Sequence, residues 1–257
     1  MSFKKTRSSR NSRKQIEQLE ILLEQNSQAV STPPSKKRWT KHDIKQFQPL
    51  TENMKLMYRY FLEGGNLVCI GSAGTGKTFN ALYLAVRELI EGKNGFEKIR
   101  IVRSTVPSRE MGFLPGTEEE KLSPYETPYR DILHTICGRA STYDDMKKAG
   151  LIEFVSTSFI RGTTWDNTIV VLDEGQNMTW HELNSVATRV GDNTKLIITG
   201  DTRQCDFTSK YETTGLPALV NVAKRMDCFD IIEFTVDDII RSGFVKEWIM
   251  ACESEGL

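Results

Sequence analysis

The sequence predicts a doubly wound α/β fold on a mainly parallel sheet, and three observations carry that expectation. Short apolar runs alternate with segments of helical periodicity along most of the chain. One run, Ile169-Val-Val-Leu172, contains no polar residue, as a parallel strand buried on both faces requires. Another, Leu67-Val-Cys-Ile70, leads into Gly71-Ser72-Ala73-Gly74-Thr75-Gly76-Lys77-Thr78 and then a helical pattern. That is the strand, loop, helix order of a phosphate-binding loop.

In chain order, residues 1–14 hold Lys4, Lys5, Arg7, Arg10, Arg13 and Lys14 among serines, with no acid. Such a segment has too little apolar surface to offset the entropy of ordering, and is expected to be a disordered nucleic-acid arm or a solubilising tail. Ile16, Leu19, Leu22 and Leu23 have helical spacing over one or two turns, a possible docking or oligomer-forming helix that is too short to be stable alone. Ser31 to Arg38, with Pro33 and Pro34, is a linker by composition. From Phe47 the composition turns globular. The expected division is a basic, largely disordered extension over 1–48 and a folded domain over 49–257.

Within that domain Met54, Met57, Tyr58 and Phe61 mark a helix over 53–62 that ends at Gly64-Gly65. The phosphate loop follows, then a helix over 77–91. Strands are expected at 99–102, 152–155, 169–172, 195–199 and 231–234, besides 67–70. Helical patterns appear around 128–138, 143–149, 180–190 and 244–253, and Gly112 to Gly116 reads as a turn-rich loop.

Composition narrows the class. The formal charge is zero, but residues 1–48 carry eleven Lys/Arg against four Asp/Glu, leaving 23 against 30 for the rest. A front of about +7 thus precedes a body of about −7. No run approaches the roughly 18 apolar residues of a membrane span, and the basic N-terminus lacks the apolar stretch of a signal peptide. Cys69, Cys137, Cys205, Cys228 and Cys252 are far apart and odd in number, which reads as reduced thiols of a cytoplasmic protein. His42, His134 and His181 share no metal-ligand spacing with cysteines or acids.

Three stretches carry chemistry. In the loop 71–78 the glycines let successive N–H groups point inward at an anion, and the following helix turns its positive end to the same place. Lys77 is then placed for the β- and γ-phosphates of a nucleotide, and the Thr78 hydroxyl for Mg²⁺. Asp173 and Glu174 end the run 169–172, where open parallel sheets bind ligands. Asp173 is expected to hold Mg²⁺ through water, and Glu174, facing the other way, to polarise the attacking water as general base. Thr199 to Gln204 follows the next apolar strand, with Gln204 suited to the γ-phosphate or the lytic water and Asp201 in support.

These motifs and those between them resemble the PhoH-like ATPases of compact phage or bacterial type, whose core is similar to the RecA-like domain of superfamily-one helicases. From Gly64 to Val245 the chain carries, in order, GSAGTGKT (71–78), GFLPGTEEEKLSPY (112–125), FIRG (159–162), LDEGQN (172–177), TGDTRQ (199–204), TGL (214–216) and DIIRSG (238–243). The resemblance implies one RecA-like P-loop NTPase domain, with 71–78 as Walker A and Asp173-Glu174 as Walker B. It implies Mg²⁺-dependent ATP binding and hydrolysis, and helicase-like work on single-stranded nucleic acid, RNA favoured. Met54 stands where the family has the glutamine that reads adenine in helicases, so selectivity for that base does not carry over. Thr163 replaces the second arginine of an Arg-Gly-Arg that starts at Arg161. Gly175 replaces an alanine, and Ser242-Gly243 replace His-Pro after Arg241.

Phosphoryl transfer gains several kcal/mol from a cation at the γ-phosphate, which helicases of this kind draw from a second RecA-like domain. By analogy the chain is expected to form a head-to-tail ring, a hexamer, in which Arg241 reaches the neighbour's site and Arg161 and Arg189 stand in reserve. An alternative is a nucleotide-dependent binding or switch protein in which ATP stabilises an assembly; intact Glu174 and Gln204 favour hydrolysis. A small-molecule kinase fits less well, because an Asp-Glu pair suits water activation.

Overall fold

Six aliphatic runs become six strands: β1 (Asn66–Gly71), β2 (Lys98–Arg103), β3 (Ile152–Ser156), β4 (Thr168–Leu172), β5 (Lys195–Gly200) and β6 (Phe229–Phe234). They pair side by side, every ladder parallel, in the order β3-β2-β4-β5-β1-β6. The structure is a computed structural model that describes residues 39–92, 94–105, 118–160, 162–201 and 213–255. The basic segment 1–14, the helix expected at 16–23, the linker 31–38, the loop 112–116, Arg161 and Gln204 lie outside the described residues.

Seven α-helices accompany the sheet among the described residues: α1 (Glu52–Glu63), α2 (Lys77–Glu91), α3 (Glu118–Cys137), α4 (Thr142–Lys148), α5 (Trp180–Ala187), α6 (Leu216–Ala223) and α7 (Gly243–Glu255). Alternation along each strand divides the core in two. Leu67, Cys69, Ile101, Ile169, Val171 and Ile197 face α1, α2, α3 and α4. Val68, Ile70, Val170, Leu172, Leu196 and Ile198 face α5 and α6. Both β4 and β5 are buried along their whole length, as expected of inner parallel strands. The fold is therefore the doubly wound α/β sheet read from the sequence, wholly parallel.

Local chemistry sets the helix ends. Thr51 accepts the Met54 N–H to open α1, and Gly64 closes it in the left-handed region at φ 99°. A reciprocal pair between Thr179 and Glu182 opens α5.

Three readings shift. Trp39 and Ile44, which composition left in the extension, are buried in the first core, so the packed body starts ahead of residue 49. Helix α3 starts at Glu118, about ten residues earlier than the pattern at 128–138, and runs through Pro124 and Pro128. The Ser123 carbonyl near these breaks receives the Thr127 hydroxyl and the Arg130 guanidinium, both at 3.3 Å. Helix α6 was not expected at all. In its sequence Leu-Pro-Ala-Leu-Val-Asn-Val-Ala, apolar Ala218 and Val222 on the exposed face blur the spacing of the buried Leu216, Leu219, Val220 and Ala223.

Candidate nucleotide site

The site forms where β1, β4 and β5 end together. Register sets this: Ile70 lies opposite Gly200, and Leu172 opposite Ile198, so Gly71, Asp173 and Asp201 leave the sheet at one edge. Gly71 has φ +123°, and a side chain there would place its Cβ 1.9 Å from the Phe234 carbonyl oxygen of β6. The chain can turn off β1 at this point only as glycine. Residues 72–76 then curl back to the start of α2, with Gly76 in the left-handed region.

The loop and the acidic pair border one cavity of about 490 Å³, within the usual range for small-molecule sites. Its lining includes Gly74 to Phe79, Asp173, Glu174, Thr199, Asp201 and Arg241. Lys77 Nζ donates to the carbonyls of Gly71 (2.8 Å) and Ser72 (2.7 Å). Burial holds the Lys77 pKa below its usual value, against the opposing pull of Asp201 and Glu174.

Asp173 is buried and held on both oxygens. Its Oδ1 accepts from Thr78 Oγ1 (2.7 Å) and Thr199 Oγ1 (2.6 Å), and its Oδ2 from the Tyr129 hydroxyl (2.9 Å). Glu174 follows in the left-handed region, φ 56°, ψ 45°, an uncommon backbone for a residue with a side chain. Its side chain lines the same cavity as that of Asp173. Burial first and the Asp173 charge second raise the Glu174 pKa, which Gln176, Arg103 and Lys77 partly counter. Gln176 joins two parts of the rim: its amide donates to Glu174 Oε2, and its carbonyl accepts the Asp201 N–H at 2.9 Å.

The donor set fits a magnesium nucleotide. No cluster of His, Cys, Asp and Glu among the described residues would hold a metal ion alone. Mg²⁺ usually takes one or two carboxylates and completes its shell with water and substrate phosphates, and a threonine hydroxyl bonded to one buried carboxylate beside a phosphate loop supplies the protein's part.

Of the three arginines weighed from the sequence, Arg241 lines this cavity in its own chain. The segment that carries it crosses the loop: Ile240 N–H donates to Gly74 O at 3.4 Å, and a Cβ on Gly74 would lie 3.2 Å from Arg241 Cγ. Asp238 anchors the segment by accepting Asn53 Nδ2 (2.7 Å) and the Thr235 N–H (2.9 Å). The sequence reading places Arg241 over a neighbour's site; within one chain it lines its own cavity. Arg189 lies past α5, its carbonyl accepting the Trp165 N–H just before β4 begins, at the opposite end of the sheet. Met54 is buried beneath the loop, its Cε 3.6 Å from a Cβ built on Gly76.

Sequence reasoning missed Tyr129, Thr199, Gln176 and Arg103 as site residues. Thr199 and Gln176 lay inside motifs already singled out, and their place beside Asp173 and Glu174 was the available signal. Arg103 ends β2 next to Tyr129, Asp173 and Glu174; burial works against its charge, yet these neighbours raise its pKa. Tyr129 comes from α3, and no pattern announced it. Burial, then the charge of Asp173, pushes its phenol pKa well above the usual value.

A parallel sheet with a GxxxxGKT loop on one strand, an Asp-Glu pair on another and a single cavity between them is that of a P-loop nucleoside triphosphatase. The sequence model described as PhoH-like protein matches residues 46–253, and the chain belongs to the PhoH family. A PhoH-like protein of Bacillus subtilis is 38% identical over 188 residues, covering 72% of this chain and 57% of the relative. One from Synechocystis is 34% identical over 186 residues, 72% and 56% of the two chains. Protein PhoH of Escherichia coli K12 is 30% identical over 200 residues, 77% and 56%. The chain spans just over half the length of these curated relatives. Among solved structures, the Pif1 helicase from Candida albicans is 16% identical, covers 77% of this chain and 43% of its own, and gives a TM-score of 0.37. That value is too low to carry over a substrate or an activity.

Proposed function

We propose that this chain is a Mg²⁺-dependent ATPase that acts on single-stranded nucleic acid, RNA favoured, as a homo-oligomer in the cytoplasm. One observation carries the reading: Lys77, Thr78, Asp173, Glu174, Asp201 and Arg241 meet around one cavity, with the Thr78 hydroxyl bonded to the Asp173 carboxylate.

In this reading the N–H groups of 72–78 and Lys77 bind the β- and γ-phosphates. Thr78 and Asp173 hold Mg²⁺, which neutralises charge on those phosphate oxygens. Glu174, set on a left-handed backbone next to Asp173, orients a water in line with the γ-phosphate and takes its proton. Gln176 fixes the Glu174 carboxylate against the Asp201 segment. Arg241 meets charge that develops on the γ-phosphate. Gln204, which lies outside the described residues, is proposed as the sensor of hydrolysis.

The nucleic-acid part is supported by charge, the front of about +7 ahead of an acidic body. Assembly is supported by exposed apolar residues beside the cavity, Phe244 at 74% and Trp248 at 63%, stacked with ring centroids 6.3 Å apart. Such a surface suits a contact with a second copy, for which a hexameric ring is the analogy. A cytoplasmic setting is supported by described cysteines that form no disulfide with one another.

The test is ATP turnover with Mg²⁺ or EDTA, with and without single-stranded RNA and DNA, on protein sized by light scattering. Turnover that needs Mg²⁺ and rises with RNA supports the reading. Tight nucleotide binding without turnover would replace it by the switch reading, and no nucleotide binding would end both.

A further inference from the structure

A buried carboxylate is oriented by whatever donates to it, and Asp173 has three hydroxyl donors from three elements. Thr78 and Thr199 belong to α2 and β5, which must converge here for the site to exist. The third, Tyr129, comes from α3, between β2 and β3, and belongs to neither Walker motif. Its ring is fully buried against Phe154, centroids 5.8 Å apart, where a phenylalanine would fill the same volume. The hydroxyl is the part that packing does not require. Burying a phenol without a partner is unfavourable, and this one donates to Asp173 Oδ2 at 2.9 Å and accepts from the Arg103 guanidinium.

The helix behind it is well held. Glu126, buried one turn before Tyr129, pairs with Lys147 (2.7 Å) on α4 and with Arg130 (3.1 Å). Arg130 also reaches Asp144 at 3.2 Å. The phenol is thus presented from a braced helix, while Oδ1 is left to Thr78 and Thr199.

We propose that Tyr129 is a positioning residue for the metal-side carboxylate: its hydroxyl occupies Asp173 Oδ2 and turns Oδ1 toward Thr78. The proposal rests on the reading of Thr78 and Asp173 as the protein's share of a Mg²⁺ site. Partners of this kind change metal affinity by roughly ten- to a hundredfold.

The experiment uses the full chain, Tyr129→Phe, and a fluorescent ADP whose binding is titrated against Mg²⁺ and again in EDTA. The expected result is a half-saturating Mg²⁺ concentration raised about tenfold, with the EDTA affinity within about twofold of wild type. Phe154→Leu, which loosens the packing of the same ring and keeps the hydroxyl, should leave the Mg²⁺ titration in place. An unchanged Mg²⁺ titration in Tyr129→Phe, or an equal loss in EDTA, overturns the proposal. If thermal unfolding shows that Tyr129→Phe is not folded, Thr199→Val removes a companion donor and must show the same split; without it the proposal also falls. A wild type whose ADP binding ignores Mg²⁺ overturns the metal reading itself, an outcome distinct from a variant that responds like a responsive wild type.

Discussion

Replacing Arg241 by alanine separates an arginine that serves its own site from one that serves a neighbour's. The side chain lines the cavity of its own chain, and its segment touches the loop through the Ile240–Gly74 hydrogen bond and the close approach to Gly74. Lys77 and the loop amides would still grip the phosphates, so the KM for ATP should move only a few-fold. An arginine at the γ-phosphate is worth about 10³ or more in kcat, or roughly 4 kcal/mol at the lower end. The assay is steady-state turnover of Arg241→Ala, of Lys77→Ala, and of an equal mixture after subunit exchange has been verified. An arginine acting within its chain leaves the mixture as inactive as its parts. An arginine acting across a ring interface would find an intact loop beside an intact donor at about one interface in four, and restore about a quarter of wild-type turnover. Such recovery would refute the assignment drawn from this geometry.

Lys77→Ala should abolish turnover with loss of nucleotide affinity, whereas Glu174→Gln should abolish turnover and keep binding, measured by calorimetry against steady-state rates. Because burial and the Asp173 charge disfavour an ionised Glu174, the same Gln variant should also melt at a higher temperature than wild type at neutral pH. Deleting residues 1–38 removes nine Lys/Arg and three Asp/Glu, a net +6, and should flatten the salt dependence of single-strand binding by up to about 4 in log–log slope; an unchanged slope would reduce the segment to a tail. At Asp238 burial raises the pKa, but hydrogen bonds from Thr51, Thr235 and Asn53 outweigh it and leave the folded value depressed. Its stabilisation is present above the unfolded carboxylate pKa of about 4 and is lost as pH falls through the folded value. Asp238→Asn should therefore be less stable than wild type at pH 7, with the difference closing in acid; a constant difference across the range would rule out a charge effect.

The strands were legible because each is a short aliphatic run between turn residues, and inner strands such as Ile169–Leu172 carry no competing pattern. The phosphate loop and Asp173-Glu174 were legible for a related reason, since backbone constraints there force particular residues into consecutive positions. Helix α6 was hidden because its open face also carries apolar residues, Ala218 and Val222, which mask the spacing of the buried Leu216, Leu219, Val220 and Ala223. Tyr129 was hidden because its meaning lies in a contact 44 residues along the chain. A tyrosine in an apolar stripe reads as core, which its ring is; only the hydroxyl belongs to the site. The closeness of Arg241 to its own loop was hidden for the same reason. Its proximity to the loop depends on β6 lying beside β1, an edge placement that periodicity does not encode.

That strand order explains how the parts reach one another. Strands β1 and β4, which carry the loop and the acidic pair, are not neighbours; β5 lies between them. Adjacent strands are about 4.8 Å apart, so the two motifs leave the sheet roughly 10 Å from each other. A gap of that size has room for phosphates and an ion between Lys77 and Glu174. The inserted strand also ends in useful groups: Thr199 binds Asp173 from the middle of the gap, and Asp201 connects through Gln176 to Glu174. With β1 and β4 adjacent, Lys77 and the carboxylates would neutralise one another directly and leave less space between. The inserted strand keeps a half-buried ammonium and a half-buried, hard-to-ionise carboxylate close enough to share a ligand and far enough apart not to satisfy each other. Of the three non-glycine residues in left-handed backbone among the described residues, Asn167 and Asn193 lie ahead of β4 and β5 at the far edge of the sheet and are of a type that tolerates it; Glu174, which is not, stands at this gap, where the strain has a functional reading.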